Sequence, residues 1–136
     1  MNYIFTDIDG VLNTINNKKW NKYSIELYNK VCLDFNIKPI ISSTWRTNHS
    51  ISQLQNIFTQ NGLEVEIYDY TPILNEPRGL EVKSWLNDNL NTLEDKWVVL
   101  DDNVRNITPY VNNVVQCRSW LGFTEDEYKL VRNYFI

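Results

Sequence analysis

Asp7 and Asp9 stand one residue apart in "IFTDIDGVLN", after an apolar run and directly before Gly10. A second acidic pair, Asp101 and Asp102, closes another apolar run in "WVVLDDN". Asp and Gly are common where a strand turns, so either pair alone reads as a strand end. Two such pairs, each behind its own buried strand, read as a reaction centre. Converging carboxylates raise one another's pKa or destabilise the fold unless a cation offsets them. Oxygen-only ligands favour Mg²⁺, which keeps several waters and takes one or two carboxylates plus phosphate oxygens. His49 is the only histidine, and Cys32 and Cys117 lie far apart. A cysteine/histidine metal site and a Ser/His/Asp triad therefore both lack parts.

The elements that must position these acids follow from hydrophobic spacing. Tyr3–Thr6 is a short buried strand, and 13–23 is polar and loop-like. Ser24 is the expected cap of a helix carrying Ile25, Leu27, Tyr28, Val31, Cys32 and Phe35 on one face. Pro39 opens a second strand at Ile40–Ile41, which ends in the polar cluster "SSTWRTN". Ser50 caps a helix that Asn61-Gly62 stops. "LEVEIY" alternates as a strand does, and a loop over 69–77 leads to a helix that begins just after Arg78. "KWVVLDDN" and "NVVQC" supply two more central strands. Thr124 with Glu127 forms a capping box for a last helix.

Strand and helix alternate throughout. This builds a single α/β domain over 1–136, a three-layer, Rossmann-like parallel sheet with helices on both faces. Ligands of such sheets bind beyond the carboxyl ends of the strands, at the switch in strand order. Asp7/Asp9, Ser42–Arg46 and Asp101/Asp102 are thus candidates for one shared site.

The 136 residues suffice for one domain with a real core. At 43% hydrophobic and 13% aromatic, the chain is globular and not disordered. A net charge of −4 argues against a generally basic nucleic-acid binder, though it leaves room for a local basic rim. Lys18, Lys19 and Lys22 are either a solvated loop or such a rim. The N-terminus lacks the pattern of a signal peptide, and no apolar run approaches a membrane span. With thiols expected to be reduced, the expected setting is cytoplasmic.

The motifs resemble those of the haloacid dehalogenase superfamily of phosphohydrolases. "DIDGVLN" is similar to its first motif, "IISSTWR" to its second and "WVVLDDN" to its fourth, in the family's order. "STWR", "RGLEVKSWL", "LDD" and "LGFT" further resemble small members associated with nucleic-acid end repair. The resemblance implies that Asp7 is a nucleophile forming an aspartyl-phosphate. Asp9 would protonate the leaving oxygen and later activate water. Asp7, the backbone carbonyl of Asp9, and Asp101 or Asp102 would hold Mg²⁺. Ser43 or Thr44 would bind a phosphoryl oxygen, and Arg78 or Lys83 would supply the cation beside it. Arg46 is either a substrate contact or a surface ion pair. Trp45 is either core or a base-stacking platform.

Members of this superfamily often close a cap domain over small substrates, inserted after the first motif or after the third core strand. Neither 13–23 nor 62–78 has room for one. An open site suits a phosphate on a large molecule such as a nucleic-acid end. The alternatives are a small-molecule or nucleotide phosphatase, and a non-catalytic phosphate-binding interaction domain. The sequence leaves the oligomeric state open.

Overall fold

Apolar residues facing both ways along a strand require cover on both faces, which is what parallel sheets receive from their crossover helices. The computed structural model describes residues 1–90 and 93–136. The strands are β1 (Asn2–Thr6), β2 (Ile37–Ile41), β3 (Asp69–Tyr70), β4 (Lys96–Asp101) and β5 (Val114–Gln116). The helices are α1 (Lys22–Asp34), α2 (Ile51–Gln60), α3 (Arg78–Asn89) and α4 (Glu125–Asn133), with a 3₁₀ turn at Thr44–Thr47. The sheet is parallel in the order β3-β2-β1-β4-β5. The chain first builds outward from β1 through β2 to β3, then returns to lay β4 on the other side of β1. The switch in strand order therefore falls between β1 and β4, the two strands that carry the acidic pairs.

Strand alternation divides the core in two. Ile4, Ile41, Val98, Leu100 and Val115 face α1, α2 and α4. Tyr3, Phe5, Ile40 and Val99 face Val82, Trp85 and Leu86 of α3 and Ile107 and Val111 beyond β4. Helices lie on both faces, as the strand–helix alternation predicts.

Three local expectations change. The cap of α1 is Asn21, whose side chain accepts from the N–H groups of Tyr23 and Ser24; Ser24 itself is buried. "NVVQC" forms β5 at the sheet edge, not a central strand. "LEVEIY" is not a strand, although Leu63, Val65 and Ile67 are buried between exposed Glu64 and Glu66. Three of its polar backbone groups are met by side chains. Asn29 Oδ1 accepts from Glu64 N–H, Gln55 Oε1 accepts from Ile67 N–H, and Gln55 Nε2 donates to the Val65 carbonyl. Pro39 explains why no longer ladder forms. Its carbonyl accepts from Tyr68 N–H at 2.8 Å on that side of β2, and the same side lacks the N–H that a ladder there needs. Pairing begins only at Ile40–Asp69.

The caps at Ser50 and Thr124 are where the sequence predicts them. Ser50 and Gln53 exchange side-chain-to-backbone bonds, and the Glu127 carboxylate accepts from Thr124 N–H at 2.9 Å. Cys32 and Cys117 are both free and buried. Among the described residues, no helix is long and apolar enough to cross a membrane, and no folded unit interrupts 7–21 or 71–77.

Candidate active site

Asp7 is the first residue past β1, and its N–H still bonds the Leu100 carbonyl of β4 at 3.1 Å. The chain then wraps tightly, with the N–H groups of Val11, Leu12 and Asn13 all directed at the Ile8 carbonyl. Gly10 makes this wrap feasible. Its φ of +80° is left-handed, and any Cβ there would collide with the Asp102 carboxylate. The glycine thus lets the first acidic loop close directly against the second acidic pair.

Asp101 ends β4 and is 1% exposed. Its Oδ1 accepts from the Asn103 N–H at 3.0 Å, a local turn that bends the chain immediately past the strand. Asp102 consequently stays on the same side as Asp101. Oxygens of Asp7, Asp101 and Asp102 lie within 4.8 Å of one another. The sequence left Asp101 and Asp102 as alternatives; the fold brings both to Asp7.

The cation of the cluster is Arg78. Its Nη1 lies 3.1 Å from Asp101 Oδ2 and 3.4 Å from Asp7 Oδ2. Arg78 is the first residue of α3, and the tight seat of that helix decides its reach. Gly79 N–H bonds the Asn106 carbonyl at 2.8 Å. A Cβ on Gly79 would come within 2.8 Å of the Ile107 carbonyl oxygen. Lys83, the other cation candidate, is exposed and outside the cluster. Five residues further along, at about 100° each, its side chain projects from a different face of α3.

One guanidinium does not offset three carboxylates. Burial, then the Asp101 charge, push the Asp7 carboxyl up to about 9 despite Arg78. Burial and Asp101 push Asp102 up to about 6. Burial works against the charge on Arg78, but Asp7 and Asp101 outweigh it and hold the guanidinium protonated. This all-oxygen donor set with excess negative charge fits a hard divalent cation such as Mg²⁺.

Asp9 is directed elsewhere, and its carboxylate is not part of the cluster. Its Oδ1 accepts from Asn13 Nδ2 at 2.8 Å and its Oδ2 from Trp45 Nε1 at 3.1 Å. Asn13 is fully buried, and its Oδ1 in turn accepts from Gly10 N–H at 2.9 Å. Neither partner was expected from the sequence. The only signal for Asn13 is its place immediately after "DIDGVL", and Trp45 reads as core on composition alone.

The turn after β2 lies on the other side of Asp7. Ser42 N–H bonds the Thr6 carbonyl, which sets Ser42 level with Asp7. The Ser42 hydroxyl is buried and has no partner among the described residues. Ser43 is 1% exposed, caps the 3₁₀ turn and accepts from Trp45 N–H at 3.2 Å. Thr44 is exposed.

Arg46, expected either on the substrate or in a surface ion pair, is turned inward. It is 7% exposed and bonds Glu81 Oε1 at 2.7 Å and the carbonyls of Ser43, Thr71 and Pro72. It straps the second-motif turn to α3 and to the loop before it. Above this strap a cavity of about 350 Å³ opens beside Arg78, with Thr44, Thr47, Asn75, Asn103 and Asn106 in its walls.

A family model described as "HAD domain in Swiss Army Knife RNA repair proteins" matches residues 3–128. No curated protein and no solved structure gives a significant match.

Proposed function

Because the chain belongs to the family of HAD domains found in Swiss Army Knife RNA repair proteins, we propose that it is a Mg²⁺-dependent phosphomonoesterase acting on phosphorylated nucleic-acid ends. The observation that carries this reading is the buried Asp7–Asp101–Asp102 cluster with Arg78 against it. Asp7, Asp101 and Asp102 would hold the metal, which when bound supplies Lewis-acid charge to the phosphoryl oxygens. Residues 1–136 act as one catalytic domain.

Asp7 attacks phosphorus through a carboxylate oxygen. The bond from phosphorus to the ester oxygen breaks, and Asp9 delivers a proton to that oxygen. Water then attacks the aspartyl-phosphate while Asp9 takes up its proton, releasing inorganic phosphate and restoring the Asp7 carboxylate. Arg78 offsets the charge spread over the phosphoryl oxygens. Ser43 is the better placed of the two hydroxyl candidates. It is buried at the end of β2, and its oxygen already accepts from Trp45, which leaves its own hydrogen to donate.

The uncapped mouth supports a large substrate. The cavity beside Arg78 is polar, with Asn75, Asn103 and Asn106 beside Arg46, Glu76 and Glu81 in its walls, and offers hydrogen-bonding groups to the terminal nucleoside of a strand. Exposed Lys18 and Lys19 lie on the loop that follows β1, at the same end of the sheet.

The test is turnover with Mg²⁺ on an aryl phosphate, on mononucleotides and on oligoribonucleotides carrying 3′- or 5′-phosphate, with Asp7→Asn in parallel. The expected result is Mg²⁺-dependent release of phosphate, best on oligonucleotides and absent in Asp7→Asn. Activity that survives Asp7→Asn sinks the mechanism, and preference for mononucleotides sinks the substrate assignment.

A further inference from the structure

We propose that Trp45 is a positioning residue that orients Asp9 for proton transfer through its indole N–H. The inference rests on the reading of Asp9 as proton donor given above. Asp9 sits in a loop, where a carboxyl group is free to turn about two side-chain bonds. Two donors from different segments remove that freedom, one on each oxygen. Asn13 Nδ2 holds Oδ1 at 2.8 Å and Trp45 Nε1 holds Oδ2 at 3.1 Å. Asn13 belongs to the same wrap as Asp9, so it moves with that loop. Trp45 belongs to the 3₁₀ turn after β2 and ties Asp9 to a segment anchored on a different strand.

The indole is itself clamped. The His49 ring stacks on it at 5.6 Å and 25°. Trp20 packs nearly perpendicular to it at 5.8 Å and continues into Phe58 at 5.7 Å. His49 Nδ1 lies 2.9 Å from the Trp45 carbonyl, and Trp45 N–H bonds Ser43 Oγ at 3.2 Å. With His49 on one face and Trp20 against the ring, Trp45 is not a platform for a nucleobase. What it presents to the site is the N–H.

An indole nitrogen only donates. Asn13 Nδ2 likewise only donates, so the two contacts together fix the plane of the Asp9 carboxyl group. Without the Trp45 N–H, Asp9 is held only by a residue of its own loop.

The test compares kcat and KM of the wild-type chain and Trp45→Phe with Mg²⁺ on two esters of similar size. 4-Nitrophenyl phosphate has a leaving group that needs little protonation, and benzyl phosphate has one that needs it fully. Positioning predicts that Trp45→Phe lowers kcat for benzyl phosphate by about tenfold or more, within the range of general-acid contributions. It predicts a much smaller loss for 4-nitrophenyl phosphate and little change in KM for either. An equal loss on both esters, or no loss on either, overturns the proposal. If Trp45→Phe does not fold, the chain with 3-benzothienylalanine at 45 replaces only the N–H by sulfur and is read by the same comparison. A wild-type chain inactive on every ester with Mg²⁺ takes down the proposed function, and this inference with it. An active wild type with an indifferent Trp45 variant takes down this inference alone.

Discussion

Arg78 Nη1 lies 3.1 Å from Asp101 Oδ2, a cation–carboxylate contact made at the first residue of α3 and the last residue of β4. The Asp101 side chain is 1% exposed and that of Arg78 23%, so the pair is largely shielded from water. Removing the guanidinium leaves buried carboxylates without their partner cation and, on the proposed mechanism, takes transition-state charge stabilisation with it. Arg78→Ala is expected to lower kcat by about 10²-fold or more. Lys83→Ala, outside the cluster, is expected to change it by less than about twofold. Steady-state kinetics on one phosphomonoester distinguishes the two positions.

The raised Asp7 carboxyl sets a pH dependence in the metal-free protein. Its folded value of about 9 lies above the ordinary 3.8, so folding favours the protonated form. That contribution is fully present below about pH 4 and is lost as pH rises towards 9. Asp102 adds a smaller loss between about 4 and 6. Without metal, the melting temperature is expected to fall from pH 5 to pH 9, and Asp7→Asn is expected to flatten that fall while abolishing turnover. Thermal melts in EDTA across this range test it, and a wild-type profile as flat as that of the variant counts against the shift.

Metal binding should reverse the same titration. Mg²⁺ requires the ionised carboxylates, so its binding releases protons where Asp7 and Asp102 are otherwise protonated. Calorimetry at pH 7 in buffers of different ionisation enthalpy is expected to detect that release. Asp102→Asn is expected to weaken Mg²⁺ binding by about tenfold or more without unfolding the chain.

Arg46 should report on stability and not on substrate affinity. Its side chain and that of its partner Glu81 are 4% and 7% exposed. Breaking such a pair from one side costs about 3–5 kcal/mol. Arg46→Met is expected to lower the urea midpoint strongly. Residual folded protein should keep a KM near wild type; a large rise in KM with little change in stability would return Arg46 to the substrate.

Gly79→Ala tests how α3 is seated. The added Cβ meets backbone oxygens of Ile107 and Asn106 at 2.8 and 2.9 Å, atoms that cannot swing aside as a side chain can. The helix start must shift, at about 1–3 kcal/mol, and Arg78 shifts with it. Both melting temperature and kcat are expected to fall, whereas an alanine on an exposed position of α3 should leave both in place.

Some of the site was legible because its signals are local. Asp7, Asp9, Asp101 and Asp102 each follow an apolar run, and a strand end is read from the run that precedes it. The helix caps at Ser50 and Thr124 were legible for the same reason, since each motif spans four residues. "LEVEIY" misled because alternation reports burial, whereas a strand needs hydrogen-bond partners as well, and Pro39 withholds one from the neighbouring strand. Arg46 misled because sequence carries the charge of a side chain but not its direction. Its partner Glu81 is thirty-five positions away, and only the packing of α3 against the β2 turn brings the two together.

The sequence by itself determined the alternation of strands and helices, the α/β class and the acidic pairs that end β1 and β4. These follow from periodicity and residue chemistry, which act over a few positions. Tertiary structure alone decided that both Asp101 and Asp102 meet Asp7, and that Arg78 rather than Lys83 lies against them. It also decided that Trp45 and Asn13 hold the two oxygens of Asp9. Those choices depend on the β1–β4 crossover, on the bare Cα of Gly10 and on the close seat of Gly79. Each is a distance between segments remote in the chain, and a distance of that kind is fixed only when the core packs.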